Sequence, residues 1–509
     1  MCDVSARAMT IPRVSFVALI LTASRVGLAQ VPAAPPAPAE PTVPTVPALP
    51  PEPALPAAPA VVEPAPAPAA AAAASPAPPQ QPPAPPAPPP TSALMNVVSK
   101  FTVQLYGFVE LDMIHDSTQS FNEVAGDALI ARPGTYGAEH SRMMFSVRNS
   151  RIGLRVGGPS TSDIKTSALI EMDFLGNQPS NPPATNEAAF FTNPTYRVRH
   201  AWMKLETPVV DVLAGQTWGL FGWQAYFDPA SVQIQGLPGE VFTRPAQLRL
   251  SHTFKSEPVN LELAVAASRP PQRDGDAPDG QGGLRLMFNE WKGYRTVGSA
   301  GTSLDSAALG VSGAVRNFTV MEYSATPASS EHATGWALSF DALLPVVPAS
   351  KEHHDNALTV TGSFATGTGN SDLYTGLSGG VGFPRITNPD GTTTAFTPNI
   401  DNGLVTYDAA GNLHTIDWSS YIFGAQYFLP FGHLWVSGNY SHMHSPNTDD
   451  FGAAPASVMT DSTFIDGNLF WDPLEGVRFG GEYAHFEQQY ADKVKAKNER
   501  IQVSAFYIF

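Results

Sequence analysis

Along most of this chain apolar and polar side chains alternate one by one, and side chains in a β-strand point alternately to the two faces of a sheet. Val103, Leu105, Val109 and Leu111 oppose Gln104, Tyr106, Glu110 and Asp112. Ile164, Ala168, Ile170 and Met172 oppose Lys165, Ser167, Glu171 and Asp173, and Trp336, Leu338 and Phe340 oppose Gly335, Ser339 and Asp341. The final stretch sets Ile501, Val503, Ala505, Tyr507 and Phe509 on one face, with Gln502 and Ser504 on the other. In water that apolar face would be an exposed, aggregation-prone edge. In lipid a closed barrel removes the edge by pairing the last strand with the first. A tilted strand crosses a bilayer in about 9–11 residues. Sixteen segments of roughly that length or somewhat longer can be drawn, at 101–113, 141–157, 163–174, 196–206, 209–217, 246–255, 259–268, 283–291, 306–322, 333–345, 356–366, 417–428, 432–443, 461–472, 475–488 and 498–509. The second changes parity, since Met143, Phe145 and Val147 precede Ile152, Leu154 and Val156. A bulge near Asn149 keeps both sets facing out.

The connections alternate between short ones (158–162, 207–208, 256–258, 429–431, 473–474) and long ones (114–140, 175–195, 218–245, 269–282, 367–416, 444–460). Tight turns at one end and long loops at the other are the rhythm of an outer-membrane barrel. Two links fit poorly: 292–305 is long for a turn, and 323–332 is short for an outer loop. The fold class is therefore all-β: a transmembrane antiparallel β-barrel of about sixteen strands over 101–509. Ahead of it, 25 of the chain's 50 prolines fall within residues 31–90. Proline removes the backbone donor and fixes φ, so a disordered, extended Pro/Ala-rich periplasmic linker is expected over 30–100. Residues 1–29 read as a signal peptide, with Arg7 and Arg13 before a short apolar core and small residues ahead of Gln30.

Composition narrows the class further. No run of 18 apolar residues marks a transmembrane helix. The charged fraction is 15%, against a usual value of about 25%, which suits strands with one face in lipid. The net charge of −16 argues against nucleic-acid binding, which needs a basic footprint. The single cysteine, Cys2, leaves with the signal segment, so no disulfide framework is expected.

Several runs taken in order resemble one family. These are Gln104-Leu105-Tyr106-Gly107-Phe108-Val109-Glu110-Leu111-Asp112, Ser150-Arg151-Ile152-Gly153-Leu154, Gly215-Gln216-Thr217-Trp218, Arg244-Pro245-Ala246-Gln247-Leu248-Arg249 and Val477-Arg478-Phe479-Gly480-Gly481-Glu482-Tyr483. Together they are similar to the DcaP-like trimeric porins of the bacterial outer membrane, over about 101–509. The resemblance implies a homotrimer and passive uptake of small, often anionic, hydrophilic solutes. It departs from the family in one respect, since a Pro/Ala tract stands where a coiled-coil segment is common. In porins the third long loop folds inward and narrows the pore. Here that loop holds Trp218, Phe221, Trp223, Tyr226, Phe227 and Phe242, with Asp228, Glu240 and Arg244 as its only charges. So aromatic a loop is not expected to lie in solvent; it packs on the inner wall or at a trimer or lipid interface.

On this parity the lumen receives Arg142, Arg148, Arg151, Arg155, Lys165, Arg249, Arg285, Arg478 and Arg500. It also receives Glu110, Asp112, Glu171, Asp173, Glu262, Asp341, Asp466 and Glu482. The facing of Arg197 and Arg199 is open. Charge is nearly balanced, so arrangement decides selectivity. Arginines match carboxylates bidentately. The candidate pore-lining and constriction residues are Arg148, Arg151, Arg155, Arg249, Asp228, Glu240 and Arg244, with the two loop acids opposite the arginines. The expected solutes are small organic anions such as dicarboxylates. Alternatively these arginines pair with wall carboxylates and only hold the barrel's shape. A separate alternative function is a surface-exposed structural or adhesin-type barrel with a plugged lumen. Tyr507 and Phe509 are the expected assembly signal for the barrel-assembly machinery, with outer-membrane lipid around the strands.

No catalytic set, cofactor or metal is expected. Residues 273–280 resemble a calcium loop but lack its closing glutamate. His442 and His444 share a strand face, yet no carboxylate or cysteine completes the set in sequence, nor one for His353 with His354. Ser251-His252 and Ser441-His442 place their partners on opposite strand faces, and no Gly-x-Ser-x-Gly elbow is present.

Overall fold

The computed structural model describes residues 100–509 apart from 127, 177–194, 271–274, 297–300, 351–352, 376–382, 402, 409 and 452–454. The signal segment, all but the last residue of the expected linker, and part of the calcium-like loop lie outside the described residues.

Strands β1 (Thr102–Asp116), β2 (Arg142–Ser146 and Arg151–Gly157), β3 (Lys165–Asp173), β4 (Arg197–Glu206), β5 (Asp211–Gln216), β6 (Ala246–Phe254), β7 (Val259–Ser268) and β8 (Asp279–Arg295) form the first half of one antiparallel sheet. Strands β9 (Ser303–Met321), β10 (Ser330–Val347), β11 (Leu358–Thr368), β12 (Asp417–Phe428), β13 (Leu434–His444), β14 (Met459–Leu474), β15 (Val477–Tyr490) and β16 (Lys495–Ile508) form the second. Each strand pairs with the next, and β16 closes on β1 from Phe108 opposite Ile508 to Asp116 opposite Arg500. With β2 counted as one interrupted strand, this is a closed sixteen-stranded barrel.

Burial is inverted relative to a water-soluble protein. Val103, Leu105, Val109 and Leu111 are exposed on the outside, while Glu110 and Asp112 between them are fully buried inside. Such a pattern is stable when lipid bathes the outer wall.

Two bulges set the inward faces. Residues 109–111 of β1 face 147–150 of β2, three against four. The extra residue restores the outward facing of Met143, Phe145, Ile152 and Leu154, and Asn149 turns in to bond Asp112 at 2.7 Å. The second lies where Glu171–Met172 of β3 meets His200 and Val198 of β4. Arg199 is the extra residue, so Arg199 and His200 are both buried inside.

The region around 283–332 corrects the boundaries read from sequence. β8, β9 and β10 are 17, 19 and 18 residues long. The turn after β8 is thereby shortened to 296–302, and the link after β9 to 322–329. Polar strand ends such as Asp279, Lys292 and His332 hid this extension.

Candidate functional site

The third long loop (217–245) lies inside the barrel, as its aromatic content requires. The Trp223 indole donates to the carbonyls of Leu284 and Val311 at 3.1 and 3.2 Å. It is seated on wall glycines: a Cβ on Gly283 or Gly310 would come within 2.9 Å of the ring. The Leu220 and Phe221 amides donate to Gln281, and Gly222 to Ser312. The loop then crosses the lumen. Arg295 holds the carbonyls of Ala225 and Asp228, Ser437 and Asn439 that of Ala230, and Asn468 and Glu482 the amides of Val232 and Gln233. Gln235 reaches Asn149, and Val241 bridges to Tyr374 of the sixth loop (369–416).

A second loop is folded inward that sequence reasoning did not place there. In the first loop (117–141), Phe121 packs on Phe486, and Ile130 is fully buried with its carbonyl bonded by Tyr490. Arg500 pairs bidentately with Asp116 and donates to the carbonyls of Asn122 and Glu123. The signal was the apolar spacing of Phe121, Ala125 and Ile130 in an otherwise polar loop. The two loops fill the lumen beside β12–β16. Three wall carboxylates there are buried against neutral donors: Asp112 against Asn149, Gln502 and Ser504, Asp466 against Asn439, and Glu482 against the Gln233 amide.

The other side, toward β2–β8, is lined by guanidinium groups. Arg199 pairs with Glu171 and Asp173 at 2.8 and 3.1 Å, and Arg197 with Asp173 at 2.6 Å. Arg285 pairs with Glu262 and lies 3.4 Å over the Tyr226 ring. Arg249 bonds neutral oxygens, the Trp218 carbonyl and Gln247. Arg244 stacks on Trp218 and Phe242 at 4.7 and 5.0 Å, and its Nη1 is buried without a hydrogen-bond partner. Burial, and then the charges of Arg199, Arg197 and Arg151, push the Arg244 guanidinium well below its usual pKa. A bound anion would relieve that positive field. Arg151, Arg197, Arg199, Arg244, Arg249 and Arg285 face Glu171, Asp173 and Glu262, an excess of three positive charges. Open space flanks this level on both sides. A cavity of about 400 Å³ lies toward the long loops, lined by Arg244, Gln281 and Arg316, the last paired there with Asp279 and Asp372. One of about 650 Å³ lies toward the short turns, where Arg285, Lys165 and Lys204 share the lining with Asp163, Glu206, Asp211 and Glu262.

The seven residues singled out from sequence are thus dispersed. Arg244 and Arg249 meet at Trp218. Arg151 sits 3.4 Å from Glu171 in the same cluster. Arg155 lies nearer the short-turn end, 4.1 Å over Tyr106, whose ring crosses Gly153 to bond Glu171 at 2.8 Å. Arg148 is buried in a structural role, bonding Glu123 and the carbonyls of Phe174 and Gly176. Asp228 and Glu240 meet each other inside the third loop. Burial and the Asp228 charge hold the Glu240 carboxyl well above its ordinary range, and burial raises Asp228 against the pull of Arg295.

The structure is a closed sixteen-stranded barrel with two loops folded into its lumen. No family model and no curated protein matches the chain. Among solved structures, the outer membrane channel DcaP of Acinetobacter baumannii shares this fold at a TM-score of 0.57 and 17% identity, over 80% of this chain and 97% of that one. The resemblance read from the sequence is therefore matched in the fold. Vibrio cholerae OmpT aligns at a TM-score of 0.45 and 9% identity, over 81% and 100% of the two chains. An anion-selective porin from Comamonas acidovorans aligns at 0.44 and 12%, over 80% and 100%.

Proposed function

We propose that this protein is an outer-membrane porin, a water-filled channel for passive diffusion of small hydrophilic solutes with a preference for small organic anions such as dicarboxylates. The observation that carries the reading is the excess of guanidinium groups at one level of the lumen, with Arg244 and Arg249 free of carboxylate partners among the described residues and open space on either side. Rings of arginine favour anions, and two adjacent guanidinium groups match a molecule bearing two carboxylates. The DcaP structure, described as an outer membrane channel, supports the class by its fold. On the same reading the chain works as a homotrimer in outer-membrane lipid, is inserted by the barrel-assembly machinery through Tyr507 and Phe509, and keeps its Pro/Ala segment in the periplasm.

The filled half of the lumen favours a second reading, a barrel plugged by its first and third loops. Planar-bilayer recording separates the two. A porin gives stepwise conductance and, across a tenfold KCl gradient, a zero-current potential of anion-preferring sign. Absence of steps, or a clear cation preference, overturns the proposal.

A further inference from the structure

Strands β6, β7 and β8 reach the long-loop side next to one another, and residues at their ends line the cavity of about 400 Å³. Ser268, the last residue of β7, lies directly opposite Asp279, the first of β8. Side chains so paired have Cβ atoms about 4.5–5.5 Å apart. Arg244 precedes β6 by two residues, and the carbonyl of Ala246, which begins that strand, accepts from the amide of Arg269 at 2.8 Å. The three residues therefore stand at adjoining strand ends around one space, whose volume lies within the roughly 300–1,000 Å³ of small-molecule sites.

Three polar atoms of this lining have no hydrogen-bond partner among the described residues: Arg244 Nη1, Ser268 Oγ and Asp279 Oδ1. Ser268 and Asp279 keep only 2% and 4% of their surface accessible, and polar groups so buried are normally satisfied. The unmet demands are of opposite kinds. A guanidinium nitrogen is a donor that lacks an acceptor here, and a carboxylate oxygen is an acceptor that lacks a donor. Arg316 does not supply that donor. Its Nε is on the other Asp279 oxygen at 3.0 Å, and its remaining nitrogens are taken by Asp372 and the Gly369 carbonyl.

We propose that this cavity binds a small zwitterion of the amino-acid class, with its carboxylate on Arg244 and its ammonium on Asp279 and Ser268. An ammonium carries three donors, enough to serve Asp279 Oδ1 and Ser268 Oγ together. A dicarboxylate has acceptors only. It leaves Asp279 Oδ1 unsatisfied and sets another anion beside it. A simple amine leaves Arg244 Nη1 unsatisfied. The charges of the lining point the same way, since Arg244, Arg269 and Arg316 share it with Asp279 and Asp372. The inference deepens the channel reading and rests on it for the solute's route, while binding itself is measurable without conduction.

The test is saturation-transfer NMR on the full chain folded in detergent micelles. The probes are L-alanine and γ-aminobutyrate, which hold their two charges close together and further apart, and the half-molecules propionate and ethylamine. At least one zwitterion should bind saturably, and at least about tenfold more tightly than either half-molecule. Asp279→Asn leaves Arg316 on Asp372, so the heat-modifiable gel mobility of the folded barrel should be kept while zwitterion binding weakens about tenfold. Arg244→Gln should weaken it similarly, and Ser268→Ala, the mildest change, about threefold. Zwitterions that bind no better than the half-molecules, or equally well to the native chain and to both charge variants, overturn the proposal. Saturable zwitterion binding by a chain that gives no conductance steps keeps the site and overturns the porin reading; steps without zwitterion binding do the reverse.

Discussion

Arg500 and Arg249 are both inward arginines on barrel strands, with opposite surroundings. Arg500 is fully buried, clamped on Asp116 and two carbonyls of the first loop. Arg249 is half-buried, bonds a carbonyl and a glutamine, and belongs to an unbalanced positive cluster. The same contrast runs through the two sides of the lumen. Beside β12–β16, charged groups fasten loops and are hidden by them. Beside β2–β8, charges outnumber their partners and face open space. A near balance of charge along the chain is thus separated by loop placement into a sealed wall and a field-bearing one.

The contrast can be broken first on the sealed side. Arg500→Ala leaves Asp116 buried without its cation, and breaking such a pair costs about 3–5 kcal/mol. A large drop in the barrel's thermal midpoint is expected, with little change in ion selectivity. Trp223→Ala removes a buried indole, at about 3–5 kcal/mol, and unseats the third loop from Gly283 and Gly310. Higher single-channel conductance is expected; unchanged conductance would show that this anchor does not set the opening.

Glu240→Gln sharpens the comparison through pH. The folded-state pKa of Glu240 is raised, so its buried, protonated form contributes its full stability below the ordinary value of 4.5 and loses it as pH rises toward the raised value. The cost is up to about 1.4 kcal/mol per pH unit across that window. The thermal midpoint should fall as pH rises above 4.5, and less steeply in the variant. On the open side, Arg244→Ala with Arg249→Ala removes two lining charges. One unit charge about 6 Å from an ion in water is worth about 0.7 kcal/mol, roughly threefold in local concentration. The zero-current potential at low salt should move toward cations by about that factor per charge removed; no movement would assign selectivity elsewhere.

Strand number, order and inward facing were legible in the chain because the side-chain period of a strand is two and lipid punishes every error of facing. Even the bulge at Asn149 showed, as a change of parity between Val147 and Ile152. The facing of Arg197 and Arg199 was not legible, because one extra residue at Arg199 puts consecutive side chains inside and erases the alternation. The aromatic third loop announced its own burial, since six rings cannot rest in water, but not which wall it would meet. Only the closed barrel decided that. Curvature brings Gly283 and Gly310 together as a niche for Trp223 and carries Asn468 and Glu482 to the loop's amides from more than 200 residues away in sequence. These placements depend on register between strands and on closure, and no local pattern in the chain encodes either.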